Sequence, residues 1–245
     1  TDTERVYHYP GIASHILGRV GRIPAAEAEK YAEAGYAADA RVGVSGVERA
    51  FEEYLRGIDG ERVIVTDEDG SIVETYVSKE PQAGNDVWLT IDIELQAATE
   101  QALADNIAYI LEAEANSTDP VVKSAIANGL LARAGAMTAV DPKTGEVLAL
   151  ASNPTYDLST FNSDYAELAQ DPRAPLVNRA LAGAYPPGST FKALTAIAAL
   201  ETGVITPKSK ILTKGVYRYG TWSYKCWLYS TTGGSHGNID VTEAI

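Results

Sequence analysis

The sequence predicts an α+β protein of two domains, and three observations support this prediction. The first third of the chain combines one helix signal with a pair of β-prone segments. A polar stretch at residues 79–86 follows and contains both proline and glycine, as linkers between domains do. Beyond it lie long helical patterns and apolar strands. We therefore predict a first domain at residues 1–85 and a second at residues 86–245.

The first domain contains signals for a helix and a β-hairpin. Ser45 and Glu48 have the spacing of a capping box, which predicts that a helix begins there. Its predicted apolar face recurs every four residues, at Val47, Phe51 and Leu55. Residues 62–66 and 71–77 are β-prone and flank the acidic, glycine-ended segment 67–70, which predicts a hairpin with a solvated turn.

The second domain is predicted to open with a strand at residues 87–91, after which Asp92 caps a long helix. The helix has a predicted apolar stripe at Leu95, Ala98, Ala102, Ile107, Ile110 and Leu111. A second helix is expected after Asp119, because proline follows at the first helical position. Residues 136–140 and 146–151 predict two strands that a tight turn joins. Since both are apolar at nearly every position, we expect both faces to be covered.

Composition excludes several classes of function. The chain has 33 acidic and 20 basic residues, a formal charge of −13, and no cluster of Lys and Arg, so we expect no nucleic-acid partner. The three histidines (His8, His15 and His236) lack metal-ligand spacing, and we predict no metal or other cofactor. Cys226, the one cysteine, is expected to be a packed small hydrophobe. The aromatic residues around it either pack with it or line a groove.

A polar, loop-like region is predicted over residues 154–177, and the motif that carries chemistry follows it. Pro186 and Pro187 break any preceding helix, and an apolar helical run begins at Ser189. Ser189 and Lys192 are three residues apart, so their side chains project from the same helix face. A serine becomes a nucleophile when a nearby base takes its proton. We therefore predict Ser189 as nucleophile and a partly desolvated Lys192 as base.

Residues 178–192, which end in Tyr-Pro-Pro-Gly-Ser-Thr-Phe-Lys, resemble the active-site segment of class B penicillin-binding proteins. These are membrane-anchored peptidoglycan transpeptidases. Three other stretches agree in order and distance: residues 43–57 are similar to the family's pedestal domain, 89–96 to its transpeptidase entry, and 139–149 to its first hairpin. The resemblance covers most of the chain from about residue 11 onward. It implies a dimerisation-type pedestal followed by part of a serine acyltransferase fold, a mixed sheet with helices on its faces.

The resemblance also implies a reaction and a set of partners. Ser189 would attack the D-Ala-D-Ala carbonyl of a peptidoglycan stem peptide, and an amine of a neighbouring stem would resolve the acyl-enzyme into a cross-link. Lys192 would be the general base, and β-lactams would acylate the same serine. The pedestal is a candidate contact for cell-wall synthesis proteins. The expected location is the extracytoplasmic face of a bacterial membrane, with an N-terminal anchor that this sequence does not contain.

Two motifs that the family needs are not in their expected places. No Ser-x-Asn occurs, and Lys143-Thr144-Gly145 precedes Ser189 and falls in the predicted turn of the first hairpin, so we assign it to that turn. The chain stops at Ile245, inside a plausible helix, and we expect the native protein to be longer. We predict that residues 1–245 alone neither transpeptidate nor bind penicillin tightly.

Other functions remain open from the residues alone. A D,D-carboxypeptidase or a β-lactamase also carries a serine and a lysine at this spacing, although the long first domain argues against a compact β-lactamase. A non-catalytic module that binds partners or senses β-lactams is the alternative from a different class.

Overall fold

The computed structural model describes residues 5–128 and 133–245 of the chain. The chain divides into two compact units, Thr1–Gly183 and Ala184–Ile245, and each contains helices and antiparallel strands. The α+β prediction is thereby confirmed. The predicted linker at residues 79–86 lies inside the first unit, and the domain boundary assigned there stays a prediction. Within the described residues, no helix is both long enough and apolar enough to cross a bilayer.

The first unit is a series of short elements around one long helix. Its helices are α1 Ser14–Leu17, α2 Ala28–Glu33, α3 Gly46–Ala50, α4 Glu52–Leu55, α5 Ile93–Ala115, α6 Pro120–Ala127, α7 Phe161–Gln170 and α8 Arg179–Ala182. Its strands are β1 Val20–Arg22, β2 Arg41–Gly43, β3 Glu61–Thr66, β4 Ile72–Lys79, β5 Gly135–Val140 and β6 Val147–Asn153. They pair as antiparallel ladders, β1 with β2, β3 with β4 and β5 with β6.

The helix predicted after Ser45 forms in two pieces and without the predicted capping box. Phe51 separates α3 from α4, because its φ of −116° leaves the helical region. Ser45 Oγ accepts a hydrogen bond from the backbone N–H of Arg19 at 3.1 Å, so it is used by another segment. Glu48 Oε2 accepts from Arg5 Nη2 at 2.8 Å. The predicted apolar face is therefore interrupted at its middle position.

The hairpin of β3 and β4 is confirmed, and its turn is held by one aspartate. Asp67 Oδ1 accepts hydrogen bonds from the backbone N–H groups of Asp69 and Ser71 at 3.1 and 2.8 Å. Every residue of β4 is exposed. The hairpin was predictable because its turn and its β-prone strands are both local signals.

The long helix α5 begins as predicted but buries a different stripe. Asp92 Oδ1 accepts hydrogen bonds from the backbone N–H groups of Glu94 and Leu95, both at 3.0 Å. The buried residues of α5 are Gln96, Thr99, Leu103 and Ile107. The predicted stripe is therefore wrong at Leu95, Ala98 and Ala102, which are exposed, and confirmed at Ile107. The next helix, α6, starts as predicted, because Asp119 Oδ1 accepts from the backbone N–H of Val121 at 2.7 Å.

The strand predicted at residues 87–91 is wrong. The segment belongs to no ladder and meets β6 through single contacts. Thr90 Oγ1 donates to the carbonyl of Val147 at 2.7 Å, and the backbone N–H of Asp92 donates to the carbonyl of Leu148 at 2.9 Å. The apolar, β-prone composition predicted a strand, but a strand requires a row of paired backbone groups.

The hairpin of β5 and β6 is confirmed, and it packs on α5. The core cluster of the unit joins Leu103 and Ile107 of α5 to Ala151 of β6. The expectation that both faces are covered is wrong for the part of the chain that the structure describes. Met137 and Val140 remain 42% and 49% exposed.

The loop predicted over residues 154–177 contains a helix, α7. Its first residue, Phe161, is the only one of its residues that is buried, and the guanidinium of Arg19 lies 4.5 Å from its ring centroid. Thr160 Oγ1 donates to Asp164 Oδ2 at 2.5 Å. Because one buried ring anchors an otherwise polar helix, the sequence shows no apolar periodicity there.

The second unit contains one longer helix, of about three turns, and several short elements. It contains α9 Phe191–Glu201, α10 Trp227–Thr232, α11 Val241–Ala244, and strands β7 Ile211–Thr213, β8 Val216–Tyr219, β9 Trp222–Lys225 and β10 Gly237–Ile239. β7 pairs with β10 and β8 with β9, both antiparallel. Lys210 Nζ contacts Asp240 Oδ2 at 2.8 Å and Glu243 Oε2 at 2.7 Å, and Asp240 and Glu243 form a capping box on α11. These contacts fix the last helix beside the β7–β10 ladder.

Candidate active site

Ser189 lies where a proline-rich turn becomes a helix. The segment Gly188–Thr190 is a 3₁₀ turn that continues directly into α9. Gly188 has a φ of +56°, in the left-handed region that favours glycine. Thr190 Oγ1 donates to the carbonyl of Pro187 at 2.5 Å, which ties the helix start to the preceding turn. The placement of Ser189 at a helix start, predicted from the sequence, is confirmed.

Lys192 follows within the first turn of α9, on the same side of the helix as Ser189. Both side chains are exposed, and within the described residues no hydrogen bond joins Ser189 Oγ to Lys192 Nζ. The predicted partial desolvation of Lys192 is therefore wrong for this part of the chain. The apolar residues Leu194 and Ile197, on other sides of α9, are also 59% and 61% exposed, so they too are uncovered within the described residues.

An exposed hydroxyl and amine three residues apart on a helix can form a nucleophile–base pair when the amine is neutral. The helix start adds backbone N–H groups that have no intrahelical partner. One such donor stabilises the oxyanion of an acyl-transfer intermediate by about 3–4 kcal/mol. A serine and a lysine in this arrangement, with free N–H groups at the helix start, have the chemistry that acyl transfer requires.

The Lys143-Thr144-Gly145 sequence lies in the turn between β5 and β6, as predicted. Asp141 organises this turn: its Oδ1 accepts from the backbone N–H of Lys143 at 2.7 Å, and its carbonyl accepts from that of Gly145 at 2.8 Å. Gly145 has a φ of +79°, which explains the glycine. The Lys143-Thr144-Gly145 sequence therefore has a structural role in this turn.

Cys226 and His236 form a contact that the sequence analysis missed. Cys226 Sγ lies 3.3 Å from His236 Nδ1, and the His236 ring packs edge-on against Trp227 at 5.6 Å between centroids. Cys226 is half-buried, so its environment is only partly that of a packed hydrophobe. Ten residues separate the thiol from the imidazole, and no spacing rule links the two. Long-range pairing accompanies the contact: β10, which follows His236, pairs with β7, and the backbone N–H of Cys226 donates to the carbonyl of Gly215 at 2.8 Å, two residues after β7.

A buried network around His15 holds the segment that precedes α8. His15 Nε2 donates to the carbonyl of Pro175 at 2.7 Å, because a carbonyl can only accept. Asn178 Nδ2 donates to the carbonyl of His15 at 3.3 Å. Ser14 Oγ donates to the carbonyl of Tyr156 at 2.5 Å. We call these five residues the His15 network; it joins α1 to residues about 160 positions later.

A second buried network centres on Gln96, whose side chain is fully buried. Its amide group pairs with the backbone of Leu150, donating to the carbonyl at 3.0 Å and accepting from the N–H at 2.7 Å. Gln96 Nε2 also donates to Glu100 Oε1 at 2.7 Å, and the same oxygen accepts from the backbone N–H of Ala13 at 2.9 Å. The Gln96 network therefore connects α1, α5 and β6.

Burial sets the electrostatics of the His15 network. It lowers the pKa of His15, and the positive charge of Arg179 lowers it further, while the hydrogen bond to Pro175 opposes the shift. Burial likewise raises the pKa of Tyr156, whose ring packs edge-on against His15 at 5.0 Å between centroids. Both side chains are therefore held in their neutral forms at pH 7.

Two protein families match this chain. Residues 1–89 match the family described as the penicillin-binding protein dimerisation domain, and residues 135–245 match the penicillin-binding protein transpeptidase domain. Ser189 and Lys192 lie within the second match. The match to the first family ends within four residues of the predicted boundary at residue 85.

Relatives and solved structures agree with these matches. The peptidoglycan D,D-transpeptidase MrdA of Escherichia coli strain K12 is 33% identical over 257 residues, covering 98% of this chain and 35% of the relative. A chain of a peptidoglycan synthase complex that coordinates polymerization and crosslinking is 35% identical, with a TM-score of 0.76, covering 98% of this chain and 39% of that one.

A third similar protein is the penicillin-binding protein PBP2 of Helicobacter pylori, solved in complex with MreC. It is 27% identical with a TM-score of 0.70, and the match covers 98% of this chain and 40% of that one. The chain thus spans about a third of the length of the curated relatives it matches.

Proposed function

Because the chain belongs to the class B penicillin-binding proteins, we propose that the full-length protein is a peptidoglycan D,D-transpeptidase that works through a serine acyl-enzyme. The observation that carries the proposal is the position of Ser189 at the start of α9, with Lys192 one turn further on, inside the residues that match the transpeptidase domain. The substrate would be the D-Ala-D-Ala end of a stem peptide, and β-lactams would occupy the same site.

In the proposed reaction, Lys192 takes the proton of Ser189 Oγ as the oxygen attacks the carbonyl carbon of the penultimate D-alanine. The tetrahedral intermediate collapses, the peptide bond breaks, and the terminal D-alanine leaves with a proton returned from the amine. A stem-peptide amine then attacks the ester carbonyl and gives a proton to the neutral amine of Lys192, which passes it to Ser189 Oγ as the acyl C–O bond breaks and the cross-link forms. Backbone N–H groups at the helix start stabilise the oxyanion in both steps.

The base role places a requirement on the full-length protein. An amine accepts a proton only in its neutral form, which burial or a positive neighbour favours. Because Lys192 is exposed here, residues outside this sequence would have to cover it. The same residues would supply the second oxyanion donor and the recognition edge that Ser-x-Asn and a second Lys-Thr-Gly provide in the family.

Location and partners follow from the family and stay proposals. We propose that the protein acts at the extracytoplasmic face of a bacterial membrane, where its substrate is assembled. Residues 1–89 are the candidate contact for cell-wall synthesis proteins, since the similar PBP2 was solved with MreC.

Labelling with a fluorescent penicillin tests the proposal. We expect stoichiometric acylation of the full-length protein, loss of more than about 100-fold in rate for Ser189→Ala and Lys192→Ala, and no change for Ser223→Ala, an exposed serine of the same unit. Residues 1–245 alone should label weakly. Retained labelling of the Ser189→Ala protein would reject Ser189 as the nucleophile, and strong labelling of residues 1–245 would reject the need for further segments.

A further inference from the structure

Two alanines hold backbone conformations that residues with a side chain rarely adopt. Within the described residues, Ala13 and Ala174 are the non-glycine residues with a positive φ, of 57° and 47°. In this left-handed region the Cβ atom crowds the following carbonyl oxygen, a clash that glycine avoids. Ala174 also precedes a proline, which narrows its allowed conformations further. The chain therefore carries backbone strain at two places that lie far apart in the sequence.

Both strained alanines border the same contact. Ala13 lies two residues before His15. Ala174 directly precedes Pro175, whose carbonyl accepts a hydrogen bond from His15 Nε2 at 2.7 Å. Strained residues persist only where the surrounding structure holds them, and they cluster at switch regions. The strain thus coincides with the His15 network, the contact that relief of the strain would help to open.

The turn on the Pro175 side of this contact is held by its own hydrogen bonds. The guanidinium of Arg179 donates to the carbonyl of Ala174 at 2.9 Å and to that of Arg173. The backbone N–H of Ala174 donates to the carbonyl of Asp171 at 2.8 Å. Because these bonds lie within residues 171–179, the turn can keep its shape when its contact with α1 breaks.

Burial offsets the strain at one alanine and not at the other. Ala13 is 3% exposed, so its methyl group gains from packing. Ala174 is exposed. Glycine at position 174 would therefore remove the strain without leaving a cavity. This makes Ala174 the position at which the strain can be tested by itself.

We propose that the His15 network is a strained latch, a two-state contact that opens while the core around α5 stays folded. The network joins α1, in the residues that match the dimerisation domain, to residues 156–178, which match the transpeptidase domain. In the closed state its three hydrogen bonds hold these segments together. In the open state the bonded groups are hydrated, and both alanines relax to a negative φ. The inference is independent of the reaction proposed at Ser189.

The latch is expected to open before the core because hydrogen bonds, rather than a large apolar surface, hold α1. Opening exchanges these bonds for bonds to water, which changes the free energy little. Helix α1 has four residues, whereas α5 has 23 and packs Leu103 and Ile107 against Ala151. Local openings of a folded protein occur where apolar contacts are few.

Hydrogen–deuterium exchange of the full-length protein, measured by mass spectrometry, tests the latch. One reporter is α1, where the backbone N–H of Leu17 donates to the carbonyl of Ala13 at 2.9 Å, and the other is the middle of α5. In the wild-type protein, α1 should exchange faster than α5. Ala174→Gly, across the contact from α1, should slow exchange in α1 about fivefold, as expected for relief of one left-handed alanine. Exchange in α5 should not change.

Two further variants sharpen the test. Ala37→Gly is the matched control, because Ala37 is an exposed alanine outside the helices and strands whose φ is not positive. It should leave exchange in α1 unchanged. Asn178→Ala removes the hydrogen bond to the carbonyl of His15 and should speed exchange in α1.

The outcomes decide whether the latch exists. Slower exchange in α1 for Ala174→Gly and faster exchange for Asn178→Ala, both with α5 unchanged, support it. Exchange in α1 that Ala174→Gly does not alter overturns it, since strain at residue 174 would not be coupled across the contact. Equal slowing in α1 and α5 also overturns it, because the contact would then open only with global unfolding. An equal effect of Ala37→Gly overturns it as well, since glycine would be acting through the unfolded chain.

Discussion

The two buried networks of the first unit and the helix start that carries the proposed reactive pair in the second unit place polar residues in opposite environments. Gln96 and His15 are polar side chains buried in the core, and each is hydrogen-bonded to backbone groups distant in the sequence. Ser189 and Lys192 stand exposed on a helix whose apolar side chains are also exposed. Polarity alone therefore does not separate the structural polar residues of this chain from the proposed reactive pair. Within the described residues, Gln96 and His15 are buried and hydrogen-bonded, whereas Ser189 and Lys192 are exposed.

The largest effect that tests this comparison comes from the same substitution at a buried and an exposed isoleucine. Ile107→Ala should lower the free energy of unfolding by about 2–4 kcal/mol, because it removes core contacts and leaves a cavity. Ile107 is 8% exposed, whereas Ile197 on α9 is 61% exposed. Ile197→Ala should therefore change stability by less than about 0.5 kcal/mol. Urea denaturation of both variants measures the difference, and equal effects would show that α9 is packed as tightly as α5.

The next largest expected effect is a difference in stability between alanine substitutions at two glutamines of α5. Gln96→Ala should destabilise the protein by about 2–3 kcal/mol, because it leaves the buried N–H and carbonyl of Leu150 unpaired. Gln101→Ala is the control, since the exposed side chain of Gln101 bonds, among the described residues, to Asp105 alone, one turn away. Its expected effect is about 0.3 kcal/mol. Comparable midpoints in urea for the two variants would contradict the structural role of the Gln96 network.

The smallest expected effect is the dependence of folding stability on pH that comes from His15. Its folded-state pKa lies below the ordinary value of 6.5, so the unfolded chain binds more protons as the pH falls. The stabilisation that comes from burying neutral His15 is fully present above pH 6.5. It declines as the pH falls from there toward the lowered pKa of His15 in the folded state. His15→Gln keeps a side-chain N–H donor but cannot titrate, so its stability should vary less between pH 7 and 5.

Urea midpoints across that range measure the His15 effect. The control is His8→Gln, because His8 is exposed and should leave the pH dependence of the wild-type protein unchanged. An unaltered pH dependence in the His15→Gln protein would mean that other groups control acid stability. A changed pH dependence in the His8→Gln protein would also mean that groups other than His15 control acid stability.

Local patterns were predicted well because their causes lie within a few residues. The caps at Asp92 and Asp119, the β3–β4 turn and the helix start at Ser189 each depend on neighbouring backbone geometry. The capping box predicted at Ser45 does not form although the sequence pattern is present. The serine hydroxyl instead accepts a hydrogen bond from the backbone N–H of Arg19, 26 residues away. The strand predicted at residues 87–91 likewise does not form, because the backbone of this segment pairs with no neighbouring strand.

The α+β class, the hairpins and the helix start at Ser189 can be read from the amino-acid sequence, because short-range sterics and hydrogen bonding encode them. Which side chains are buried depends instead on tertiary packing. It placed Gln96 in the core because the backbone of Leu150, 54 residues away, pairs with its amide. It placed His15 against Pro175, 160 residues away, and left Lys192 in solvent. Burial depends on what packs from far along the chain, and no local pattern carries that information.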